Sequence, residues 1–212
     1  MLQTQAVNAS TLELLKKLMA FKALANFNLV GGTALALQMG HRFSVDLDFF
    51  TTTRFEKDEL KLKIEAFARN HKYDFEWDVV ENATLIGSIN QIKVDIIFYP
   101  FKLIDDLIIE NDIRLLSTKD IAPMKLSAIA QRGSKKDFFD MYELLQLYSL
   151  DRMFDFYKQK YPHTDITFLI RSLTFFEDAE IQKNPVLIKN YNWYDVKQKL
   201  TTAVKQFINE KL

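Results

Sequence analysis

The pattern of apolar and polar positions along the chain changes near residue 115. Before that point, helical spacing alternates with short apolar or period-two runs; after residue 118 the spacing is helical, with breaks near Gly133, Pro162 and Pro185. The pattern predicts helices over residues 10–22, 33–39 and 55–70, and strands over residues 27–30, 43–50, 73–80, 84–88 and 92–98. We therefore expect an α+β protein, with a mixed sheet and flanking helices in a first domain (residues 1–115) and a helical second domain (residues 116–212).

Local signals refine the ends of these elements. Ser10 or Thr11 is a suitable N-cap for the first helix, and Gly40 suits the C-cap of the second. Residues 103–109 are expected to add a short edge strand or a docking segment. No apolar run approaches the roughly 18 residues that a membrane-spanning helix needs, and the N-terminal residues lack the basic start and apolar core of a secretory signal. We expect a cytoplasmic protein without membrane contact.

Composition narrows the chemistry. The chain has no cysteine, which excludes disulfides, thiolate zinc sites and thiol catalysis and suits a reducing compartment. Lys+Arg 28 and Asp+Glu 28 balance to a net charge of zero, so contact with RNA would have to come from a local patch. The 18 Phe are interpreted as core packing; their spacing does not favour the alternative, which is base stacking.

Two acids stand out in the period-two run 43–50. On a strand, Ser44, Asp46 and Asp48 share one face, and the apolar residues of the run share the other. Two neighbouring carboxylates are costly to bury unless a cation neutralises them, and Mg²⁺ prefers oxygen ligands. The pair alone is weak evidence, because exposed strands often carry alternating acids.

A third acid strengthens the metal hypothesis. Asp95 lies inside a strongly apolar strand, where an unpaired carboxylate is rarely tolerated. If that strand lies beside Asp46 and Asp48, three carboxylates can hold two Mg²⁺ ions about 3.5–4 Å apart, an arrangement that clamps the attacking and leaving oxygens in phosphoryl transfer. The alternatives for Asp95 are a helix cap or a salt bridge to Lys93, which shares its face.

The turn at Gly31-Gly32-Thr33 predicts an anion-binding corner. A strand, two glycines and a helix N-terminus bring backbone N–H groups and the positive end of the helix dipole towards a phosphate. The turn lacks the spacing and the Gly-Lys-Ser/Thr of a Walker motif. Two glycines alone are a weak signal, since tight turns use glycine anyway.

Taken together, these residues resemble a known pattern. The run LVGGT followed by DLDF resembles the polymerase-β nucleotidyltransferase superfamily, and the longer string GGTALALQMGHRFSVDLDFF resembles its AbiEii/AbiGii toxin family. A second block, DIAPMKLSAIAQRGSKKDFFDMYELL, is similar to the downstream motifs of that family. Residues 172–180 are similar to a C-terminal feature of some members but carry no chemistry that the residues explain.

The resemblance implies roles for residues of the second block. Lys125 would be the lysine that faces phosphate, and Asp137 an acid of the last motif. Independently, helical periodicity places Lys125 and Arg132 on one face, from which both could reach a triphosphate. Asp137 and Asp140 could orient these cations or cap the helix, and Asp140 could equally form a structural ion pair. Lys135 and Lys136 are interpreted as a solvated surface pair.

Residues beside the acids complete the predicted nucleotide site. Arg42 could contact phosphate or brace the acids, and Ser44 could bond phosphate or a water on the metal. The predicted catalytic residues are thus Asp46, Asp48, Asp95, Lys125 and Asp137, the first three as metal ligands. The predicted nucleotide-binding residues are Gly31, Gly32, Thr33, Arg42, Ser44, Lys125 and Arg132.

The resemblance also implies a function. A nucleoside monophosphate would pass from an NTP to an acceptor, such as tRNA or a protein, with two Mg²⁺ or Mn²⁺ ions as cofactors. Family members act as toxins of toxin–antitoxin or abortive-infection systems, so a separately encoded antitoxin is an expected partner. The alternatives are a phosphotransferase of the same fold and a regulator that binds Mg²⁺-NTP without turnover.

Overall fold

The computed structural model describes residues 1–211, in which seven strands form one mixed sheet in the order β3-β4-β5-β2-β1-β7-β6. The strands are β1 (Asn28–Val30), β2 (Leu47–Thr51), β3 (Phe75–Glu81), β4 (Thr84–Ile89), β5 (Ile92–Phe98), β6 (Ile108–Glu110) and β7 (Ile113–Leu115). The helices are α1 (Ala9–Ala20), α2 (Gly31–Met39), α3 (Lys57–Asn70), α4 (Thr118–Arg132), α5 (Lys135–Leu147), α6 (Leu150–Lys160), α7 (Thr167–Ser172), α8 (Glu177–Glu180) and α9 (Trp193–Lys211). This architecture confirms the predicted α+β class. None of the described helices is long and apolar enough to cross a membrane.

The centre of the sheet positions the predicted acids. Strand β2 lies between β1, which is antiparallel to it, and β5, which is parallel. In this register Asp48 lies opposite Val30 on one side and Asp95 on the other. The acids of two segments that are distant in sequence therefore become direct neighbours, as the metal hypothesis requires.

The predicted strand 43–50 is wrong in its first half. Strand β2 begins only at Leu47, and residues 43–46 form a loop. Phe43 and Val45, which period two places with Leu47 and Phe49, are 41% and 56% exposed, whereas Leu47 and Phe49 are fully buried. The alternation of apolar and polar residues runs through all of residues 43–50. Only residues 47–50, however, have a neighbouring strand on each side.

A late segment of the chain holds this loop. Residues 182–189, called the strap below, run beside the loop and form an antiparallel bridge between Arg42 and Leu187. Phe43 N donates a hydrogen bond to Val186 O at 2.8 Å, and Ile188 N donates to His41 O at 2.9 Å. The strap thus supplies hydrogen-bond partners for backbone groups at the start of the loop, which have no partner strand in the sheet.

Smaller corrections concern the ends of elements. The first helix is capped by Asn8, whose Oδ1 accepts from Thr11 N at 2.7 Å, and neither Ser10 nor Thr11 is the cap. The second helix begins two residues early, at Gly31, and ends as predicted at Gly40, which is left-handed with φ 61°. Residues 103–109 contribute only the start of β6, and β7 was not predicted, because its three residues are too short to show a period.

The helices of the second half bury large side chains against one another. Phe138, Phe139 and Phe154 are among the largest fully buried side chains, which supports core packing as the role of many phenylalanines. Helix α4 packs against α2, α5 and α6. This packing brings the face of α4 that carries Lys125 to the strand ends that carry the acids.

Candidate active site

A cavity of about 100 Å³ contains most of the predicted site. Its walls are Gly32, Arg42, Ser44, Asp46, Asp48, Lys93, Asp95, Lys125, Arg132 and Lys136. The structure therefore brings together eight of the predicted residues, and Gly31, Thr33 and Asp137 lie behind them. Lys93 and Lys136 are additional.

The acids form one wall of the cavity and are incompletely neutralised. Burial, together with the charges of Asp95 and Asp46, raises the pKa of Asp48 to about 6. Asp95 Oδ2 accepts from Lys93 Nζ at 2.9 Å, so the predicted alternative of a Lys93 salt bridge does occur. Asp95 Oδ1, however, is buried with no hydrogen-bond partner among residues 1–211. An unpartnered buried carboxylate oxygen beside a half-buried acid of raised pKa fits a site that takes a cation.

Two lysines hold the acids in their present arrangement. Lys93 binds Asp95, and Lys136 Nζ lies 3.3 Å from Asp46 Oδ2; the two lysine side chains are 50% and 42% exposed. Within the described chain, no group of three or more His, Asp or Glu is already arranged around a metal position. The donor set suits Mg²⁺, but these half-exposed ammonium groups would have to swing away for the three acids to converge on it.

The two glycines permit close approach of site residues. Gly31 has φ 68°, and a Cβ there would lie 2.3 Å from Asp48 Oδ2; a Cβ on Gly32 would lie 2.5 Å from an Arg42 terminal nitrogen. Any side chain at either position would therefore displace Asp48 or Arg42. The glycines also leave the N-terminus of α2 open towards the cavity, where phosphate binding is predicted.

Thr33 and Ser44 join the helix to the acidic loop. Thr33 Oγ1 donates a hydrogen bond to the backbone oxygen of Asp46, and its hydroxyl lies 2.8 Å from Ser44 Oγ. Thr33 is fully buried, so it positions the loop and does not reach the cavity. Ser44 does line the cavity.

The opposite wall is basic and is organised by Asp140. Arg42 grips this fully buried carboxylate through Nε at 2.6 Å and a terminal nitrogen at 2.9 Å. Lys125 Nζ lies 2.5 Å and His41 Nε2 lies 2.7 Å from the same carboxylate. Asp140 thus orients Arg42 and Lys125. Its ion pairs with them stabilise the fold and also position two cations that line the cavity.

Asp137 is the second carboxylate that holds cations of the basic wall. Its carboxylate accepts from Lys125 Nζ at 2.9 Å and from Arg132 Nε at 2.8 Å. Burial alone would lower the pKa of Lys125, but Asp140 and Asp137 outweigh it and the pKa lies above the usual value. Burial likewise opposes ionisation of Asp140, but Arg42 and Lys125 hold its pKa well below the usual value. All these groups are therefore charged at neutral pH.

The interpretation of Lys135 and Lys136 as a surface pair is wrong for Lys135, whereas the side chain of Lys136 is 42% exposed. Lys135 is only 5% exposed; its Nζ donates to Gln182 O at 2.8 Å, which anchors the start of the strap. Lys136 points the other way, towards Asp46. The sequence did not predict either of these contacts. The available signal was the position of both lysines in the first turn of the helix that carries Asp137.

A wider cleft of about 320 Å³ leads outward from the cavity. It shares Arg42, Ser44, Asp46 and Lys136 with the cavity, and its outer side is formed by Pro185 and Val186 of the strap. A substrate could enter by this route between the acidic loop and the strap.

Comparisons with known proteins identify the family and the fold. The family model described as nucleotidyl transferase AbiEii toxin, type IV toxin–antitoxin system, matches residues 13–206. An uncharacterized protein of Aquifex aeolicus (strain VF5) is 34% identical over 204 residues, which cover 92% of this chain and 95% of that protein. Two solved structures share the fold. JHP933 from Helicobacter pylori has a TM-score of 0.56 and 16% identity over 96% of this chain and 94% of that chain. MenT4, a nucleotidyltransferase toxin from Mycobacterium tuberculosis H37Rv, has a TM-score of 0.50 and 14% identity over 93% and 84%.

Proposed function

The chain belongs to the AbiEii family of nucleotidyltransferase toxins, and from that premise we propose that it transfers a nucleoside monophosphate from an NTP to an acceptor with the help of two Mg²⁺ ions. Asp46, Asp48 and Asp95 are the metal ligands in this proposal, and Mn²⁺ could replace Mg²⁺. The NTP lies between the acids of the first half of the chain and the cations of the second.

One observation carries the proposal: an under-neutralised acidic wall faces a fixed basic wall across one small cavity. The acidic wall includes Asp48, with its raised pKa, and the unpartnered Oδ1 of Asp95. A metal–triphosphate complex has both charges, cations on one side and anionic oxygens on the other. The acidic wall complements the metal cations of this complex, and the basic wall complements its phosphate oxygens.

The acids divide the work in this proposal. Asp46, in the loop just before β2, and Asp48, on β2, would hold both ions, and Asp95 would hold the one that activates the acceptor hydroxyl. Asp95 Oδ1 is also a candidate to receive the proton of that hydroxyl. Bound Mg²⁺ would lower the pKa of the attacking hydroxyl and neutralise charge on the leaving pyrophosphate.

The basic wall orients the triphosphate. Arg42, Lys125 and Arg132 are held by the carboxylates of Asp140 and Asp137. Because their positions are fixed before substrate arrives, little reorganisation is needed when charge builds up on the phosphates. The amide groups of Gly31 and Gly32, at the N-terminus of α2, add uncharged donors.

The biological setting is proposed from the family. The acceptor would be tRNA, another RNA or a protein, and the activity would be toxic unless a separately encoded antitoxin opposes it. A cytoplasmic location would provide both NTP and these acceptors. The balanced net charge of the chain adds no support for any particular acceptor.

The test is label transfer. The wild-type protein, Asp46→Ala and the control Asp78→Asn, an exposed acid on β3 outside the site, are incubated with Mg²⁺, each α-labelled NTP, total tRNA and protein extract. We expect a labelled tRNA or protein band with wild type and the control and none with Asp46→Ala.

Other results would replace the proposal. Transfer of γ-label without α-label would identify a phosphotransferase. Tight NTP binding with no transfer of either label would identify a regulator. Full labelling by Asp46→Ala would overturn the metal assignment.

A further inference from the structure

A second pocket, of about 620 Å³, lies beside the active-site cavity and takes no part in the roles described so far. Phe50 lines it, two residues after Asp48 on β2, so both side chains lie on the same face of the sheet. Ala128 lines it from α4, one turn from Lys125 and one turn from Arg132. The pocket and the active site thus share a strand and a helix face.

Aromatic rings form the wall of this pocket. Phe50, Tyr99, Phe101, Tyr157 and Tyr161 all line it. Their ring centres form a continuous series: Phe50 to Tyr99 is 4.8 Å, Tyr99 to Phe101 4.8 Å, and Phe101 to Tyr161 4.9 Å. All except Tyr157 remain partly exposed, so these rings border open space and are not sealed in the core.

A buried ion pair outside the active site fixes this wall. Asp120 and Lys160 are both buried and lie 2.7 Å apart. Asp120 also accepts from the backbone nitrogens of Ile104 and Asp105 at 2.8 and 3.1 Å, and Lys160 donates to Lys102 O at 3.1 Å. These bonds pin the loop that carries Tyr99 and Phe101. Burying a charge pair has a substantial desolvation cost, and here it gives a preformed pocket.

We propose that the aromatic pocket binds the nucleobase of the NTP. Aromatic side chains provide stacking surfaces for bases of any sequence. Two residues along a strand span about 7 Å, a separation that a ribose can bridge between a phosphate at Asp48 and a base at Phe50. Ser127 and Gln131, also on the pocket wall, can hydrogen-bond the edge of the base.

The position of Ala128 indicates that the base in this pocket belongs to the NTP and not to the acceptor. Lys125 and Arg132 flank Ala128 on one face of α4, and both line the active-site cavity. A molecule whose phosphates bind these two cations therefore lies beside the pocket, with its own base within reach of the pocket wall at Ala128. This inference rests on the proposed function, because it uses the phosphate position assigned there.

The test fills the pocket and measures binding, not transfer. Ala128→Leu adds bulk to the pocket and Ala128→Ser keeps the size. Ala203→Leu, on α9, makes the same addition in a different pocket. Each protein is titrated calorimetrically with an NTP and with inorganic tripolyphosphate, both with Mg²⁺. We expect Ala128→Leu to weaken NTP binding at least about tenfold, the scale of lost base stacking, without changing the tripolyphosphate affinity or the unfolding temperature. The other two variants should bind as wild type does.

A second variant removes a ring and does not add bulk. Phe101→Leu should weaken NTP binding about fivefold or more and again leave tripolyphosphate binding unchanged. Unchanged NTP affinity in both Ala128→Leu and Phe101→Leu would overturn the proposal. So would a loss confined to acceptor binding, which would assign the pocket to the acceptor. Because no step of this test needs turnover, its failure is distinct from full labelling by Asp46→Ala, which would overturn the transfer mechanism.

Discussion

Two sets of carboxylates border the same small cavity, and the chain treats them in opposite ways. Asp137 and Asp140 are fully buried, and His41, Arg42, Lys125 and Arg132 all contact them. Asp46, Asp48 and Asp95 face two lysines with half-exposed side chains. The pKa of Asp140 falls well below the usual value, whereas the pKa of Asp48 rises to about 6.

This difference distinguishes carboxylates that hold the structure of the site together from carboxylates that are available to bind a ligand. A carboxylate whose charge is met by fixed cations holds those cations in place, and it has no capacity left for a ligand. A carboxylate that lacks a fixed partner costs stability until a ligand supplies one. The folded chain therefore carries a cost at Asp48 and Asp95 that a bound cation would remove.

The largest effect should come from Asp48→Asn, which removes the charge at the centre of the acidic wall. We expect transfer activity to fall by about 10³-fold or more, while the unfolding temperature stays equal to or rises above that of wild type, because a repulsion is lost. Label transfer and thermal unfolding measure the two outcomes, with Asp78→Asn as the control. A drop in unfolding temperature would place Asp48 with the scaffold acids.

Asp140→Ala should act in the opposite way on stability. Removing it leaves Arg42 and Lys125 buried without their common partner, so the free energy of unfolding should fall by about 3–5 kcal/mol. Urea denaturation measures this. Asp155→Ala, which breaks an exposed pair with Arg152, should cost about 1 kcal/mol or less. Equal losses in the two variants would contradict the scaffold role.

A pH series should reveal the cost at Asp48 directly. In the metal-free protein its pKa is about 6 when folded, against an ordinary value of 3.8, so the folded state keeps a proton that the unfolded state has lost. This contribution to stability is complete below about pH 3.8 and disappears as the pH rises through 6. Relative to Asp48→Asn, wild type should therefore lose roughly 2–3 kcal/mol of unfolding free energy from pH 4 to 7. Urea denaturation in a chelating buffer measures it, and a parallel pair of curves would show that Asp48 has an ordinary pKa.

The smallest effect should come from Lys136→Met, which tests the half-exposed partners of the acidic wall. Lys136 lines both the cavity and the outer cleft, so its loss should raise the KM for NTP about fivefold, as expected for one partly solvated charge of about 1 kcal/mol. Steady-state kinetics measure it, with Lys205→Met on α9 as the control. A lower KM would mean that Lys136 only blocks the metal site.

Sequence reasoning recovered the parts of the fold that depend on local pattern. The strand 92–98 was predicted with both ends correct, because its buried positions and the turn before it are encoded in adjacent residues. The run 43–50 failed in its first half, because Phe43 bonds to a strap about 140 residues further along the chain. No periodicity within the run carries that information.

The candidate site shows the same division. The acids, the glycines and Lys125 could be named from their spacing and their resemblance to a family. The roles of Lys136 and His41 could not, because they depend on which loops and helices meet. His41 and Asp140, for instance, are 99 positions apart, and a lone histidine next to an arginine gives no sign of that partner.

The strap also orders events during synthesis. The residues on either side of Arg42 form backbone bonds to the strap, Phe43 with Val186 and His41 with Ile188. The ribosome adds Val186 and Ile188 after every residue assigned to the metal and the phosphates. A nascent chain can therefore hold all the proposed catalytic groups and still lack the brace that sets Arg42 in place. The proposed site therefore depends on a segment from the last part of the chain to be translated.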